Sequence, residues 1–107
     1  MFDFDRWSRW LEATAHELRA ENVFAELKRG GLPTAKPCCS FRVETNFALG
    51  QFDVWVTGEA DFDVMDAQSK AFIYHSWAML LDDNTFEGAF KDFLNRSLGG
   101  HLALPTN

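Results

Sequence analysis

The sequence lacks the features that mark a membrane or secreted protein. It contains no run of 18 apolar residues, which argues against a membrane-spanning helix. The N-terminal residues, Met1 to Trp7, do not form the basic and then apolar segments of a signal peptide. Its two cysteines, Cys38 and Cys39, are adjacent, and adjacent cysteines rarely pair because the geometry is strained. We therefore expect a cytoplasmic protein with reduced thiols, and the alternatives are an intermolecular disulfide or a redox role.

Motifs for catalysis or for a cofactor are also missing. None of the three histidines, His16, His75 and His101, has another histidine three to five residues away, so no local zinc pair is present. The glycines form no phosphate-binding loop. Cys38 or Cys39 with His75 would supply a nucleophile and a base, but no glycine elbow or helix start flanks them. We predict no enzyme activity, no cofactor and no metal, and hence a protein that binds another macromolecule.

Aromatic residues, in contrast, are abundant. The 107 residues include 11 Phe and 4 Trp, and 47% are hydrophobic. Each aromatic side chain buries a large area, so one domain over residues 1–107 has enough apolar surface for a core. This composition argues against disorder, except in the tail 101–107, which we expect to fray.

The excess of acidic over basic residues lies in the second half of the chain. Residues 44–107 contain ten acidic and three basic side chains, a net charge of −7, whereas residues 1–43 carry +1. Nucleic-acid binding requires a basic surface, so this class of partner is disfavoured. A basic protein partner is favoured instead.

Helical periodicity occurs at both ends of the chain. Apolar residues recur every three or four positions from Phe4 to Leu18, with Asp3 or Asp5 as the cap. After Asn22 the stripe shifts, which predicts a kink or a second short helix that ends at Gly30-Gly31. A second stripe between Phe86 and Leu98 predicts a C-terminal helix. Asn84 and Glu87 resemble a capping box before it, and Gly99-Gly100 ends it.

Between these helices, alternation of apolar and polar residues predicts four strands. The first runs from Ser40 to Phe47, with a turn at Ala48-Leu49-Gly50. The second places Phe52, Val54 and Val56 on one face, and a hairpin at Thr57-Gly58-Glu59 leads to the third, with Ala60, Phe62 and Val64. A polar turn, 66–70, precedes an aromatic strand, 71–77. Short links require antiparallel neighbours. The fold class is therefore α+β: an N-terminal helix, a four-stranded antiparallel meander and a C-terminal helix, with both helices on one sheet face.

The segment from Glu59 to Asp66 is the most distinctive local feature. Its acids alternate outward, and Asp53 on the neighbouring strand falls on the same side. Three interpretations remain open: a solvated strand face, a divalent-metal site at Asp61 and Asp63, or a recognition face for a basic partner. No nearby Lys or Arg in the sequence relieves the repulsion between these acids, and like charges across strands are destabilising, which favours a functional explanation.

Trp55 falls on this same face by alternation. Either a loop or the N-terminal helix covers it, or it anchors an interface, where Trp is enriched. The aromatic strand carries Tyr74, His75 and Trp77, and the pattern does not decide which of these three point outward.

The stretch Gly50-Gln-Phe-Asp-Val-Trp55-Val-Thr-Gly58-Glu-Ala-Asp61-Phe-Asp-Val-Met-Asp66 resembles the TriTu immunity proteins of bacterial contact-dependent growth inhibition and related polymorphic toxin systems. The shared pattern is a strand ending in Val-Trp, two residues, Gly, and an acidic strand closed by Asp. An aromatic strand and a Phe/Leu-rich helix follow, so the resemblance covers roughly residues 40–98. The chain departs from the pattern at Gln68-Ser69-Lys70, where a glycine is common.

This resemblance implies a cytosolic antidote that binds the C-terminal domain of a toxin delivered by a neighbouring cell. The toxin is expected to be a tRNA-cleaving nuclease that works with elongation factor Tu, which would reach this chain only through the toxin. The alternative is a small acidic adaptor of a non-toxin complex, and a homodimer is also compatible with the pattern. The predicted partner-binding residues are acids and one tryptophan on the hairpin: Asp53, Trp55, Glu59, Asp61, Asp63 and Asp66.

Overall fold

The computed structural model describes residues 2–30 and 36–99 of the chain. Within these ranges the chain forms two helices and five strands, in the order α1 (Phe4–Ala20), β1 (Phe24–Gly30), β2 (Cys38–Glu44), β3 (Ala48–Trp55), β4 (Glu59–Asp66), β5 (Phe72–Leu80) and α2 (Phe86–Leu98). The tail that was predicted to fray, 101–107, lies outside the described residues.

The strands form one antiparallel sheet in which each strand pairs with its neighbours along the chain, in the order β1-β2-β3-β4-β5. Short links permit only this arrangement, because a parallel crossover needs a dozen or more residues. The predicted α+β class, with a meander between two terminal helices, is confirmed. The predicted strand count was wrong, since the described residues contain five strands rather than four.

The additional strand, β1, occupies the segment that was predicted to be a kink or a second short helix. Helix α1 ends before the left-handed residue Asn22 (φ 63°), and the Val23 N–H donates to the Leu18 carbonyl at 3.0 Å. This arrangement is a Schellman-type helix end, and it directs the chain back along the sheet. Residues 24–30 then pair with β2, which buries Ala25. Pairing and burial override the helix propensity of this segment.

The turn after β2 also differs from the prediction. The first predicted strand extended to Phe47, but β2 ends at Glu44. The hydroxyl of Thr45 accepts the Ala48 N–H at 3.0 Å and so closes the turn earlier along the chain. Local bonds of this kind compete with strand pairing. The predicted turn at Ala48-Leu49-Gly50 is therefore the beginning of β3.

One face of the sheet is covered by both helices, as predicted. Trp10 of α1 and Phe90 of α2 meet edge to face with centroids 5.4 Å apart, and Phe90 packs on Phe41 of β2 at 4.9 Å. The strand residues that face the helices are buried at alternating positions. They include Phe41, Val43, Phe52, Val54, Ala60, Phe62 and Val64. Because side chains alternate along a strand, the residues between them point to the opposite face.

Two glycines fix the hairpin and the packing of α2. Gly58 has a left-handed φ of 92°, which glycine adopts without strain, and its N–H donates to the Trp55 carbonyl at 2.9 Å. The predicted hairpin is thus confirmed, but its turn lies one residue earlier than predicted: β3 ends at Trp55 and β4 begins at Glu59, so Val56 belongs to the turn and is exposed. Gly50 lies within β3, where an added Cβ would overlap the Ser97 hydroxyl of α2. Glycine at this position allows the helix to approach the sheet closely.

The predicted capping box of α2 does not form. The N-cap is Thr85 rather than Asn84, and its side chain makes no capping bond. Instead, the carboxylate of Asp82 accepts the N–H groups of Asn84 and Thr85 at 2.9 and 3.0 Å. The side chain that caps the start of this helix therefore lies two residues before the predicted one. At the other end, Gly99 is left-handed (φ 59°) and terminates the helix as predicted.

Two carboxylates hold the start of α1. Asp3 caps the helix, as predicted, by accepting the Arg6 N–H at 3.1 Å. Asp83, just before α2, accepts the Asp3 N–H at 2.8 Å and the indole N–H of Trp7 at 3.0 Å. These hydrogen bonds, with that from Asp3 as the largest cause, lower the pKa of Asp83 below its ordinary value. The two helices are therefore joined at this end.

Candidate partner-binding face

The face of the sheet opposite the helices, called the open face below, carries no described helix. Strand register places its side chains in rows across the sheet. One row contains Ser40, Asp53 and Asp61, and the next contains Arg42, Gln51, Asp63 and His75. The strand register therefore brings residues of β2 to β5 onto one face. The most distant of them along the chain, Ser40 and His75, are 35 positions apart.

The centre of the open face is acidic. Asp53 and Asp61 lie directly opposite each other on β3 and β4, and Asp63 follows two residues along the same face. In the described part of the chain, no Lys or Arg forms an ion pair with any of these three carboxylates. Directly opposed like charges destabilise a sheet, so this arrangement lowers the stability of the free protein.

The neighbouring half of the open face is balanced. Arg42 on β2 contacts the carboxylates of Glu26 at 3.6 Å and Glu44 at 3.5 Å, and Lys28 lies 3.9 Å from Glu26. The negative potential is therefore concentrated over β3 and β4 rather than spread over the whole sheet.

Glu59 differs from these acids because it has a cation. Lys36 donates to its carboxylate at 2.7 Å. This hydrogen bond is the largest cause of the lowered pKa of Glu59, followed by one from the Thr57 hydroxyl. The expectation that no Lys or Arg relieves the cluster was therefore wrong for Glu59. Lys36 precedes it by 23 residues, and only the folded sheet brings the two together.

Asp66 is separated from the other predicted residues. It ends β4 in register with buried Ala48, and its carboxylate accepts the N–H groups of Gln68 and Ser69 at 3.1 and 2.8 Å. The bond from Ser69 is the largest cause of its lowered pKa. Asp66 thus shapes the predicted polar turn, and its position along the strand does not place it among the open-face acids.

Trp55 lies on the open face at the end of β3, beside Cys38 in register. Its side chain is half-buried. Helix α1 packs on the other side of the sheet, so of the alternatives considered for Trp55, cover by this helix is excluded. The tryptophan shares a face with the uncompensated carboxylates, as the alternation predicted.

A second group of aromatic residues lies beside the acids on β5 and was not resolved by the sequence pattern. His75 stacks on Trp77 with ring centroids 4.3 Å apart, and Phe72 meets both rings at 6.0 and 6.2 Å. Phe72 and Trp77 remain 55% and 54% exposed. Tyr74 points the other way and stacks on Phe62 in the core at 5.4 Å. We call Phe72, His75 and Trp77 the β5 aromatic cluster.

Two of the uncompensated acids hold this cluster in place. Asp63 Oδ1 accepts the indole N–H of Trp77 at 2.6 Å, and Asp61 Oδ1 accepts the backbone N–H of Ala78 at 2.6 Å. Ala78 is left-handed (φ 59°), a conformation that residues other than glycine rarely adopt, and the register of β4 and β5 shifts near it. The carboxylates therefore have a structural function in addition to their charge.

Other chemical interpretations find no support in this geometry. Cys39 faces α1, where its sulphur lies 3.2 Å from the Ser8 hydroxyl, and Cys38 lies on β2. His75 is on β5, three strand spacings or about 14 Å away, so no cysteine–histidine pair is assembled. Among the described residues, no group of three or more His, Cys, Asp or Glu side chains is arranged to hold a metal ion.

In the described ranges, no helix has both the length and the apolar character needed to cross a membrane.

Comparisons with known proteins identify the family. Searches of curated proteins and of solved structures returned no match. A family model described as immunity protein TriTu matches residues 5–96, which adds helix α1 to the region where the sequence shows the resemblance. The chain therefore belongs to the TriTu family of immunity proteins.

Proposed function

We propose that this immunity protein neutralises a cognate tRNA-cleaving nuclease toxin by binding it through the open face, in the cytoplasm. The observation that carries the proposal is the set of uncompensated carboxylates, Asp53, Asp61 and Asp63, at the centre of a sheet face that also bears Trp55. A nuclease needs a basic surface to hold its RNA, and such a surface complements this face.

Within this proposal, the residues of the face have different functions. Uncompensated carboxylates attract a basic domain and accelerate its association, whereas desolvated contacts set the rate of dissociation. Trp55 and the β5 aromatic cluster offer the large rigid side chains that are enriched at interface centres. Glu59, already paired with Lys36, lies at the margin of this surface, and Asp66 lies outside it.

The repulsion between Asp53 and Asp61 also supports the proposal. Opposed carboxylates repel each other across a sheet, and a cationic partner between them would remove that repulsion on binding. The family supports immunity over the small adaptor module that the fold alone would allow. Elongation factor Tu enters the proposal only through the toxin, which would carry it into the complex.

The test is co-expression with the product of the open reading frame directly upstream of the gene. We expect that product to stop growth when expressed alone, to degrade tRNA in extracts, and to co-purify with this chain as a stable complex in which growth is restored. A toxic upstream product that neither binds this chain nor is neutralised by it would contradict the proposal. Binding without tRNA degradation would retain immunity and reject the nuclease.

A further inference from the structure

We propose that the β5 aromatic cluster and Asp63 together form a receptor for an arginine side chain of the protein partner. This inference rests on the proposed function for the identity of the partner, but the chemistry of the receptor is read from the structure alone. The partner must present a guanidinium group rather than an ammonium group.

The protein contains the same arrangement within its own fold. Arg96 of α2 donates to the Asp92 carboxylate at 3.0 Å, and its guanidinium lies 3.6 Å from the centre of the Tyr74 ring. One arginine thus satisfies a carboxylate and an aromatic face at once. Planar guanidinium groups suit this combination because they stack on rings and still donate hydrogen bonds in their own plane.

On the open face the carboxylate and the ring are present without the arginine. Asp63 is hydrogen-bonded to the indole of Trp77 at 2.6 Å, which fixes both groups at one position. Trp77 remains 54% exposed even though His75 and Phe72 contact it. In the described ranges, the arginine–ring contacts are those of Arg6 with Trp7 and Arg96 with Tyr74, so no guanidinium of this chain lies over Trp77.

Two other occupants fit this surface less well. A second copy of the chain would form a two-fold interface in which the same patch meets itself, so Asp61 and Asp63 would face their own counterparts without a cation. A strand added to the free edge of β5 would meet irregular pairing, because β5 shifts register twice and Ala78 is left-handed. Arginine complements both the charge and the rings.

The test uses a short glycine-spaced peptide with two arginines and a matched peptide with two lysines. Binding is followed by the indole N–H signals of the four tryptophans in nitrogen-15 correlation spectra, with that of Trp77 assigned by its loss in Trp77→Leu. We expect the arginine peptide to shift the Trp77 signal and to bind about two- to five-fold more tightly than the lysine peptide, because both cations are attracted to the ring but only a guanidinium stacks on it while donating in its own plane. In Trp77→Leu this preference should disappear.

Asp63→Asn is the second variant, because an amide oxygen can still accept the indole hydrogen bond while the charge is lost. We expect Trp77 to keep its signal and the arginine peptide to bind more weakly. Equal affinity for the two peptides, or a preference that persists in Trp77→Leu, would overturn the proposal. So would light scattering that shows a dimer which Trp77→Leu converts to a monomer, since a second copy would then cover the cluster.

The same variant separates this inference from the proposed function. If the upstream gene product binds the wild type and Trp77→Leu equally tightly, the receptor is rejected and the immunity function stands. If that product does not bind at all while the peptides show the arginine preference, the proposed partner is rejected and the receptor chemistry stands.

Discussion

Substitution of Asp53 by Asn should make the free protein more stable, although it removes a charge from the surface proposed to bind the partner. Asp53 and Asp61 are direct cross-strand neighbours, whose Cβ atoms typically lie about 5 Å apart. Two unit charges at that distance repel by roughly 1 kcal/mol in a water-like medium, and physiological salt reduces this by about half. The asparagine oxygen can still accept the hydrogen bond that Gln51 donates to Asp53.

We therefore expect the free energy of unfolding in urea to rise by about 0.5 kcal/mol in Asp53→Asn, as for other cross-strand pairs. Asp61→Asn should give a smaller gain, because a neutral amide oxygen accepts the Ala78 N–H less strongly than the carboxylate does. The repulsion that the two acids share is removed by either change, so the two gains should not add, which a double-mutant cycle reports as coupling. High salt should shrink the gain. Glu12→Gln, on the exposed side of α1, makes the same change of charge without an opposing acid and serves as the control. A loss of stability in Asp53→Asn, or the absence of coupling, would refute the reasoning.

Three further predictions concern the scaffold. Gly50→Ala should lower the free energy of unfolding by about 1–3 kcal/mol in urea melts, because the added Cβ overlaps Ser97 of α2. The control is Gly88→Ala, within α2, where the added Cβ meets open space and the free energy of unfolding should rise by about 0.5 kcal/mol. The pKa of Asp83 is lowered in the folded state, chiefly by the Asp3 N–H. Its ionised carboxylate therefore stabilises the fold at neutral pH, and this stabilisation is lost as the pH falls. Between about pH 5 and pH 2, the free energy of unfolding should decrease more in the wild type than in Asp83→Asn. Burial first, and then the Asp53 charge, raises the pKa of the Cys38 thiol, so iodoacetamide should label the native protein more slowly than the urea-unfolded protein at pH 7.5 or so.

Much of the open face was predictable from the sequence because the orientation of its side chains follows from neighbouring residues in the same strand. Side chains alternate strictly along a strand, so the buried residues Phe52 and Phe62 fix the opposite orientation of Asp53 and Asp61. A tight hairpin at Gly58 then sets the register between the two strands. No information from distant parts of the chain is needed for this result.

The remaining features depend on contacts that no local pattern records. Lys36 reaches Glu59 only because β2 pairs with β3, and β1 is a strand only because β2 offers it an edge. On β5, aromatic side chains occur at both alternating sets of positions, so the pattern alone could not decide whether Tyr74 or the pair His75 and Trp77 faces the core. A polar turn was expected at Asp66, but the pattern did not show that its carboxylate accepts two N–H groups of that turn, because these bonds depend on the folded backbone.

The most direct test of the account compares two triple variants that each remove three negative charges. Asp53→Asn/Asp61→Asn/Asp63→Asn changes the open face, whereas Glu12→Gln/Glu17→Gln/Glu21→Gln changes the exposed side and end of α1. The quantity to measure is the dissociation constant for the upstream gene product at physiological salt. We expect the open-face variant to bind at least about tenfold more weakly, or ~1.4 kcal/mol, mainly through slower association, and the α1 variant to match the wild type. Equal losses in the two variants, or a larger loss in the α1 variant, would contradict the assignment of the open face.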